Sequence, residues 1–240
     1  SLDVEVGEIQ YEKAVKCKIT IPEFVNTTYQ LNFSNQQFIQ GIHIPSHRPI
    51  YKYQKVDSIS TKLITKQQAY DQYNNSKINR FTSYGGGPSE NYHIKETIIS
   101  LATFGYGNQV VSKNENAISL FEGFEKILTQ ILPPKLGFQK ISVRIPEVVL
   151  ETKSGEFSLD AVSGGVASII DLAWQLYMFE STENNFMVTL DEPENHLHPE
   201  MQKTLLPNFL KAFPHVQFVV ATHNPFIITS VSESNVYALN

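Results

Sequence analysis

Only one cysteine, Cys17, occurs in the 240 residues, so no disulfide can form within the chain. It falls in an alternating, strand-like run, where a thiol serves as a small core residue rather than a reagent. No apolar run approaches the ~20 residues that a membrane-spanning helix needs, and no signal-peptide pattern opens the chain. The cytosol is therefore the expected compartment. Charge of one sign is not in excess either. Nineteen basic against 24 acidic side chains leave a net charge of −5, which argues against a surface built mainly to hold nucleic acid. There is also no Gly-Lys dipeptide, and this excludes a Gly-x-x-x-x-Gly-Lys-Ser/Thr phosphate-binding loop anywhere in these residues. What remains is an ordinary folded composition, 41% apolar and 18% charged. The length suits one large domain, or one domain carrying a substantial insertion.

Val4, Val6, Val15, Cys17, Ile19 and Ile21 alternate with polar residues, as do Tyr29, Leu31 and Phe33. Phe38 to Ile44 reads as a further strand ended by Pro45, and together these predict a layer of antiparallel strands with one wet face. Asp57 to Asn79 predicts a partly exposed helix. Gly85-Gly86-Gly87 marks a loop, and Tyr92 to Phe104 a second helix. Ile118, Phe121, Phe124, Leu128 and Ile131 form one apolar helical stripe, stopped by Pro133-Pro134. From Gly137 strands return, with Ile141, Val143 and Ile145 alternating, Val148 to Leu150 following, and a turn at Lys153 to Glu156. Val166 to Phe179 is apolar almost all round and so predicts a buried helix, with Trp174 in the core. Phe186–Leu190 and Gln217–Ala221 are continuous apolar runs of the kind parallel strands show, joined by a crossover helix over Met201–Phe213. The expected class is α/β. Residues 1–56 form an antiparallel β part, 57–136 a helical insert, and 137–240 the strand–helix core.

Three short segments carry chemistry. Phe186 to Leu190 ends in Asp191-Glu192, which puts two carboxylates at the carboxyl edge of a parallel sheet, where open α/β folds bind ligands. Phosphoryl transfer needs a magnesium ion near the phosphates and a group that orients the attacking water. Asp191 suits the first task and Glu192 the second, although a strand end with two solvated acids is an equally common reading of the pair alone. His223, at the end of the next strand in Thr222-His223-Asn224-Pro225, could bond a terminal phosphate or steady a carboxylate, or could simply be structural. Ser163-Gly164-Gly165 could open a helix N-terminus to phosphate, or be a plain N-cap. His196 and His198 are too few for a structural zinc site. For His47 and Arg48 a solvated strand end is the expectation.

In this order, and with the wording Leu190-Asp191-Glu192-Pro193-Glu194 followed by Leu197-His198-Pro199, the segments resemble ABC-type ATPases of the DNA-repair and phage-defence branch. The likeness points within it to the overcoming-lysogenization-defect (OLD-like) and Septu-type ATPases. The resemblance implies a P-loop NTPase (ABC ATPase-like) core with an antiparallel β layer and an inserted helical lobe. It implies Ser163, Gly164 and Gly165 as the nucleotide-contacting signature, Asp191 and Glu192 as the Walker B pair, Asn195, His196, Leu197 and His198 as the D-loop, and His223 as the switch histidine. ATP and Mg2+ are the implied cofactors. Two such domains would pack head to tail as a homodimer, with a nuclease partner and DNA as further partners and no membrane.

The chain departs from the family pattern at Val162, where leucine is usual, and at Val166, where glutamine or glutamate is common. The larger departure is the missing phosphate-binding loop. The expectation is a C-terminal portion of a longer ATPase, or else a split protein, that by itself binds ATP poorly and turns over none. A non-catalytic module of the same fold is the alternative. An OLD-type nuclease would require an acidic Toprim-like cluster that these residues do not contain.

Overall fold

A computed structural model of the chain describes residues 2–10, 14–21, 30–33, 40–82, 87–180 and 185–238, the first three stretches as backbone only. The glycine loop at Gly85–Gly87 and the start of the strand read from Phe38 lie largely outside the described residues. The chain divides into two compact units, Ser1–Gln40 and Gly41–Asn240.

The first unit is an antiparallel sheet of β1 (Leu2–Gln10), β2 (Ala14–Ile21) and β3 (Gln30–Phe33), in that order. Cys17 lies in β2 opposite Phe33, as its alternating run implies.

The second unit has two sheets among the described residues. One is wholly parallel, in the order β4 (Gly41–Ile44), β8 (Phe186–Asp191), β9 (Val216–Ala221). The other is an antiparallel meander of β5 (Phe138–Arg144), β6 (Glu147–Thr152) and β7 (Gly155–Ser158). The expectation that Phe38–Ile44 extends the antiparallel layer is corrected here, because β4 runs parallel to β8 with Ile44 opposite Leu190. Its alternation of exposed Gly41 and His43 with buried Ile42 and Ile44 belongs to the edge of a parallel sheet.

Helix α1 covers Lys66–Thr82, α2 Glu90–Tyr106 and α3 Glu115–Ile131. The helix expected from Asp57 starts nine residues later, at Lys66, for a local reason. Thr65 and Gln68 form a reciprocal capping box, the Gln68 N–H donating to Thr65 Oγ1 at 3.2 Å and the Thr65 N–H to Gln68 Oε1 at 3.1 Å. Asn114 caps α3, and the residue before Pro133 ends it. Phe121, Phe124, Leu128 and Ile131 of the predicted stripe are buried.

Helix α4 (Gly164–Phe179) is the centre of the unit, with Val166 to Met178 buried without a break. Phe124 of α3 meets Trp174 edge-on at 4.9 Å, and Tyr177 Oη donates to the Leu120 carbonyl at 3.1 Å. Helix α5 (Pro199–Ala212) connects β8 to β9 as the crossover, and a short turn, α6 (Pro225–Ile228), follows β9. No helix among the described residues is long and apolar enough to cross a membrane.

Candidate functional site

Parallel pairing of β8 with β9 sets Asp191 opposite Ala221, so the residues just past each strand end, Glu192 and Thr222-His223, share one edge. The Glu192 N–H donates to the Ala221 carbonyl at 2.8 Å and extends the ladder by one bond. Glu192 then turns sharply, with φ 40. For a residue with a side chain this left-handed region is sparsely populated and is held only where the surroundings impose it. The turn brings the carboxylate to His223, whose Nδ1 lies 2.8 Å from Glu192 Oε1. The histidine side chain is 82% exposed and the carboxylate 35%, so the pair faces outward. The two residues read from sequence as water-orienting acid and phosphate-sensing histidine are therefore in contact.

The neighbours of His223 explain why it alone points out. The Thr222 hydroxyl donates to buried Glu194 and accepts from the Asn224 N–H. Asn224 bonds Gln202 of α5 at 3.0 Å and caps α6 through Phe226 N–H. Both flanking residues are thus committed inward. Asn195 Nδ2 reaches Glu192 Oε2 at 3.4 Å and the Ser46 carbonyl at 3.3 Å. Leu197 is buried, while His196 is exposed with φ 68. His198 caps α5, its Nδ1 accepting from the Glu200 N–H at 3.4 Å.

Ser163 caps α4, with Oγ accepting from the Val166 N–H at 3.4 Å. Its two glycines differ in kind. A Cβ on Gly165 would lie 3.1 Å from the His196 carbonyl oxygen and 3.2 Å from Met201 Sδ, so a larger residue there would crowd the acid-bearing loop by a few tenths of an ångström. A Cβ on Gly164 would meet nothing closer than 4.0 Å, so nothing among the described residues requires glycine at that position. Val162 and Val166 line a mostly apolar cavity of about 170 Å³ with Leu136, Leu150 and Phe157, and Thr152 and Ser163 are its polar members.

Sequence reasoning missed Arg48. Expected at a solvated strand end, it is 5% exposed. Its guanidinium donates to the Pro45 carbonyl and reaches the Asp191 carbonyl at 3.5 Å. Burial lowers its pKa, opposed by the charges of Asp171, Asp191 and Glu194. Asp171, in the middle of α4, accepts from Tyr73 of α1 and from Gln175 at 3.0 Å. Burial pushes the Asp171 carboxyl up to about 6, against the lowering effect of the Tyr73 bond and of Arg48. No local signal marks these residues, because their burial depends on partners far along the chain.

The donor set fits magnesium and a nucleotide. Asp191 and Glu192 are hard oxygen donors at a sheet edge, and a magnesium ion bound largely through phosphates and water needs only one or two carboxylates. Among the described residues no cluster of three or more acidic, histidine or cysteine groups could hold a metal without such help. The open space at Gly164 is where a phosphate could approach a helix N-terminus.

With that geometry in place, the relatives of the chain are informative. The Retron Ec83 probable ATPase of Escherichia coli is 29% identical over 126 residues, covering 50% of this chain and 22% of the relative. The Septu protein PtuA of Bacillus mycoides (strain KBAB4) is 33% identical over 86 residues, covering 34% of this chain and 12% of the relative. The chain thus matches about a fifth or less of the length of these relatives. Among solved structures, the SMC head domain from Thermotoga maritima aligns with 94% of this chain and 65% of its own, at 14% identity and a TM-score of 0.38. The resemblance to Septu-type ATPases is borne out by the PtuA match. Residues 89–229, more than half of the chain and all of α2 through α6, match the family described as AAA domain, putative AbiEii toxin, Type IV TA system, and the chain belongs to that family as an AAA-type, ATPase-like domain.

Proposed function

We propose that this chain carries the hydrolytic edge and the signature turn of an ABC-type ATPase, with Asp191-Glu192 as its Walker B pair. The observation that carries the reading is the 2.8 Å contact between Glu192 and His223 at the ends of adjacent parallel strands. Glu192 orients the attacking water, and His223 holds that carboxylate and stands ready to bond the terminal phosphate. Asp191 would hold Mg2+, which would supply neutralisation of charge developing on the phosphates. Ser163 and Gly164, at the N-terminus of α4, contact the nucleotide held by a second copy in a head-to-tail homodimer, and Asn195 to His198 form part of the D-loop contact between copies. Since the 240 residues contain no Gly-Lys dipeptide, the phosphate cradle comes from polypeptide outside them.

The retron ATPase and Septu relatives support an ATPase-like role in defence. Within it we read a nucleotide-driven switch that controls a nuclease partner or acts on DNA, with DNA repair or an OLD-type nuclease as variants of the same switch. The test is Glu192→Gln in the complete protein. ATP turnover should fall by about 10²-fold or more while nucleotide binding is kept. Turnover at the wild-type rate removes the assignment. A second reading, a non-catalytic module of the same fold, is favoured by the missing Gly-Lys dipeptide, and it predicts no turnover for the substitution to abolish.

A further inference from the structure

We infer that Arg48 is a positioning residue for Glu192, an inference that rests on reading Glu192 as the water-orienting carboxylate. The left-handed backbone at Glu192, φ 40, has to be imposed from outside the turn. On one side the imposition is the Glu192 N–H bond to Ala221. On the other it is the segment Pro45–Arg48, which leaves the neighbouring strand β4. The Ser46 carbonyl accepts from Asn195 Nδ2 at 3.3 Å, three residues after Glu192. The Arg48 guanidinium reaches the carbonyl of Asp191, immediately before it, at 3.5 Å. One short segment thus grips both ends of the acid-bearing turn.

Arg48 is itself fixed. It is 5% exposed, bonded back to the Pro45 carbonyl, and flanked by the negative charges of Asp171, Asp191 and Glu194. A planar guanidinium can hold two carbonyls in a fixed relation, and a lysine ammonium can hold them only as a point charge. The competing explanation is that Arg48 only neutralises Asp171 in the core. The two roles differ in what happens when Asp171 is made neutral.

The experiment measures ATP turnover and ATP affinity for the complete protein as wild type, D171N, R48K, R48M and R48M/D171N, with E192Q alongside. The double variant removes the Arg48 and Asp171 charges together, so it strands less buried charge than R48M alone, and melting of each variant shows that the protein assayed is folded. If Arg48 positions Glu192, R48M/D171N binds ATP within about threefold of wild type but turns it over about ten- to a hundredfold more slowly. R48K lies between, and D171N stays near wild type. Wild-type turnover by R48M/D171N, or an equal loss in D171N alone, overturns the inference. E192Q at the wild-type rate overturns the assignment of Glu192 itself, and with it the role of Arg48.

Discussion

Replacing Lys95 tests how the helices are fastened to the turn that leads into Ser163. The Lys95 side chain is fully buried, and its ammonium donates to Asp160 Oδ2 at 2.5 Å, to Glu147 Oε2 at 3.0 Å and to the Gln54 carbonyl at 2.9 Å. The Asp160 side chain is 3% exposed, and its other oxygen accepts from Asn91 Nδ2 at 2.7 Å. Lys95→Met keeps the apolar stem and removes only the charge, leaving the Asp160 carboxylate buried with one neutral donor. Breaking a buried pair from one side costs about 3–5 kcal/mol, and the surviving Asn91 bond places this case near 3. For a domain of this size that lowers the melting temperature by roughly 6–12 °C. K95M/D160N should recover much of the loss, because no charge is then stranded. Burial works to lower the Lys95 pKa, but the bonds to Asp160 and Glu147 outweigh it and the net shift is upward. Its contribution is therefore complete below the ordinary lysine range and lost only at more alkaline pH, so the K95M deficit should be flat from about pH 6 to 9. Thermal unfolding followed by near-UV circular dichroism reads all of this. A K95M protein within about 1 kcal/mol of wild type, or a double variant less stable than the sum of its parts, refutes the reasoning.

The two signature glycines should separate cleanly. Gly165→Ala presses a methyl against the His196 carbonyl and Met201, which offsets the helix advantage of alanine, so it should be about 1 kcal/mol less stable in urea unfolding than Gly164→Ala, whose own change should be under about 1 kcal/mol. In the complete protein G164A should still weaken ATP-dependent self-association by sedimentation, and an unaffected G164A protein would show that its open space faces no phosphate. Asp171, with its carboxyl pushed up to about 6 by burial, binds a proton in the folded state over a range where the unfolded chain has released it. Wild-type stability should then decline by roughly 3 kcal/mol relative to D171N as pH rises from about 4 to about 6, and parallel curves through that window would contradict it.

The parallel strands β8 and β9 and the meeting of Glu192 with His223 were legible because both signals are local. Phe186–Leu190 and Gln217–Ala221 are apolar runs, and the residue proposed to act, Glu192 or His223, stands two positions beyond the last residue of each. A shared sheet direction then brings the two ends together without further information. The beginning of α1 was misplaced at Asp57, because the polar run hid the Thr65-x-x-Gln68 pattern that marks it. The direction of β4 was not, because alternation looks the same in either orientation. Its partner lies far along the chain, with His43 bonded to Thr189 across 146 residues. Arg48 was illegible for the same reason. Nothing near a His-Arg-Pro sequence announces a core aspartate in α4 or a carbonyl 143 residues away.

Buried charges are a costly way to hold a fold together, and apolar side chains of equal volume often do it better. Their placement here follows a pattern that stability does not explain. Asn91 and Lys95 of α2 meet Asp160, three residues before the Ser163 turn. Tyr73 of α1 meets Asp171 on α4, the helix that this turn opens, and Arg48 lies between Asp171 and the acid edge. Apolar contacts are non-directional and let helices slide, whereas charged hydrogen bonds fix an angle and a register. Through these bonds α1 and α2 are set in register with α4 and the Ser163 turn, and Arg48 alone continues the series to the acid edge. A displacement of α1 and α2 would therefore be passed on to α4 and the Ser163 turn that opens it.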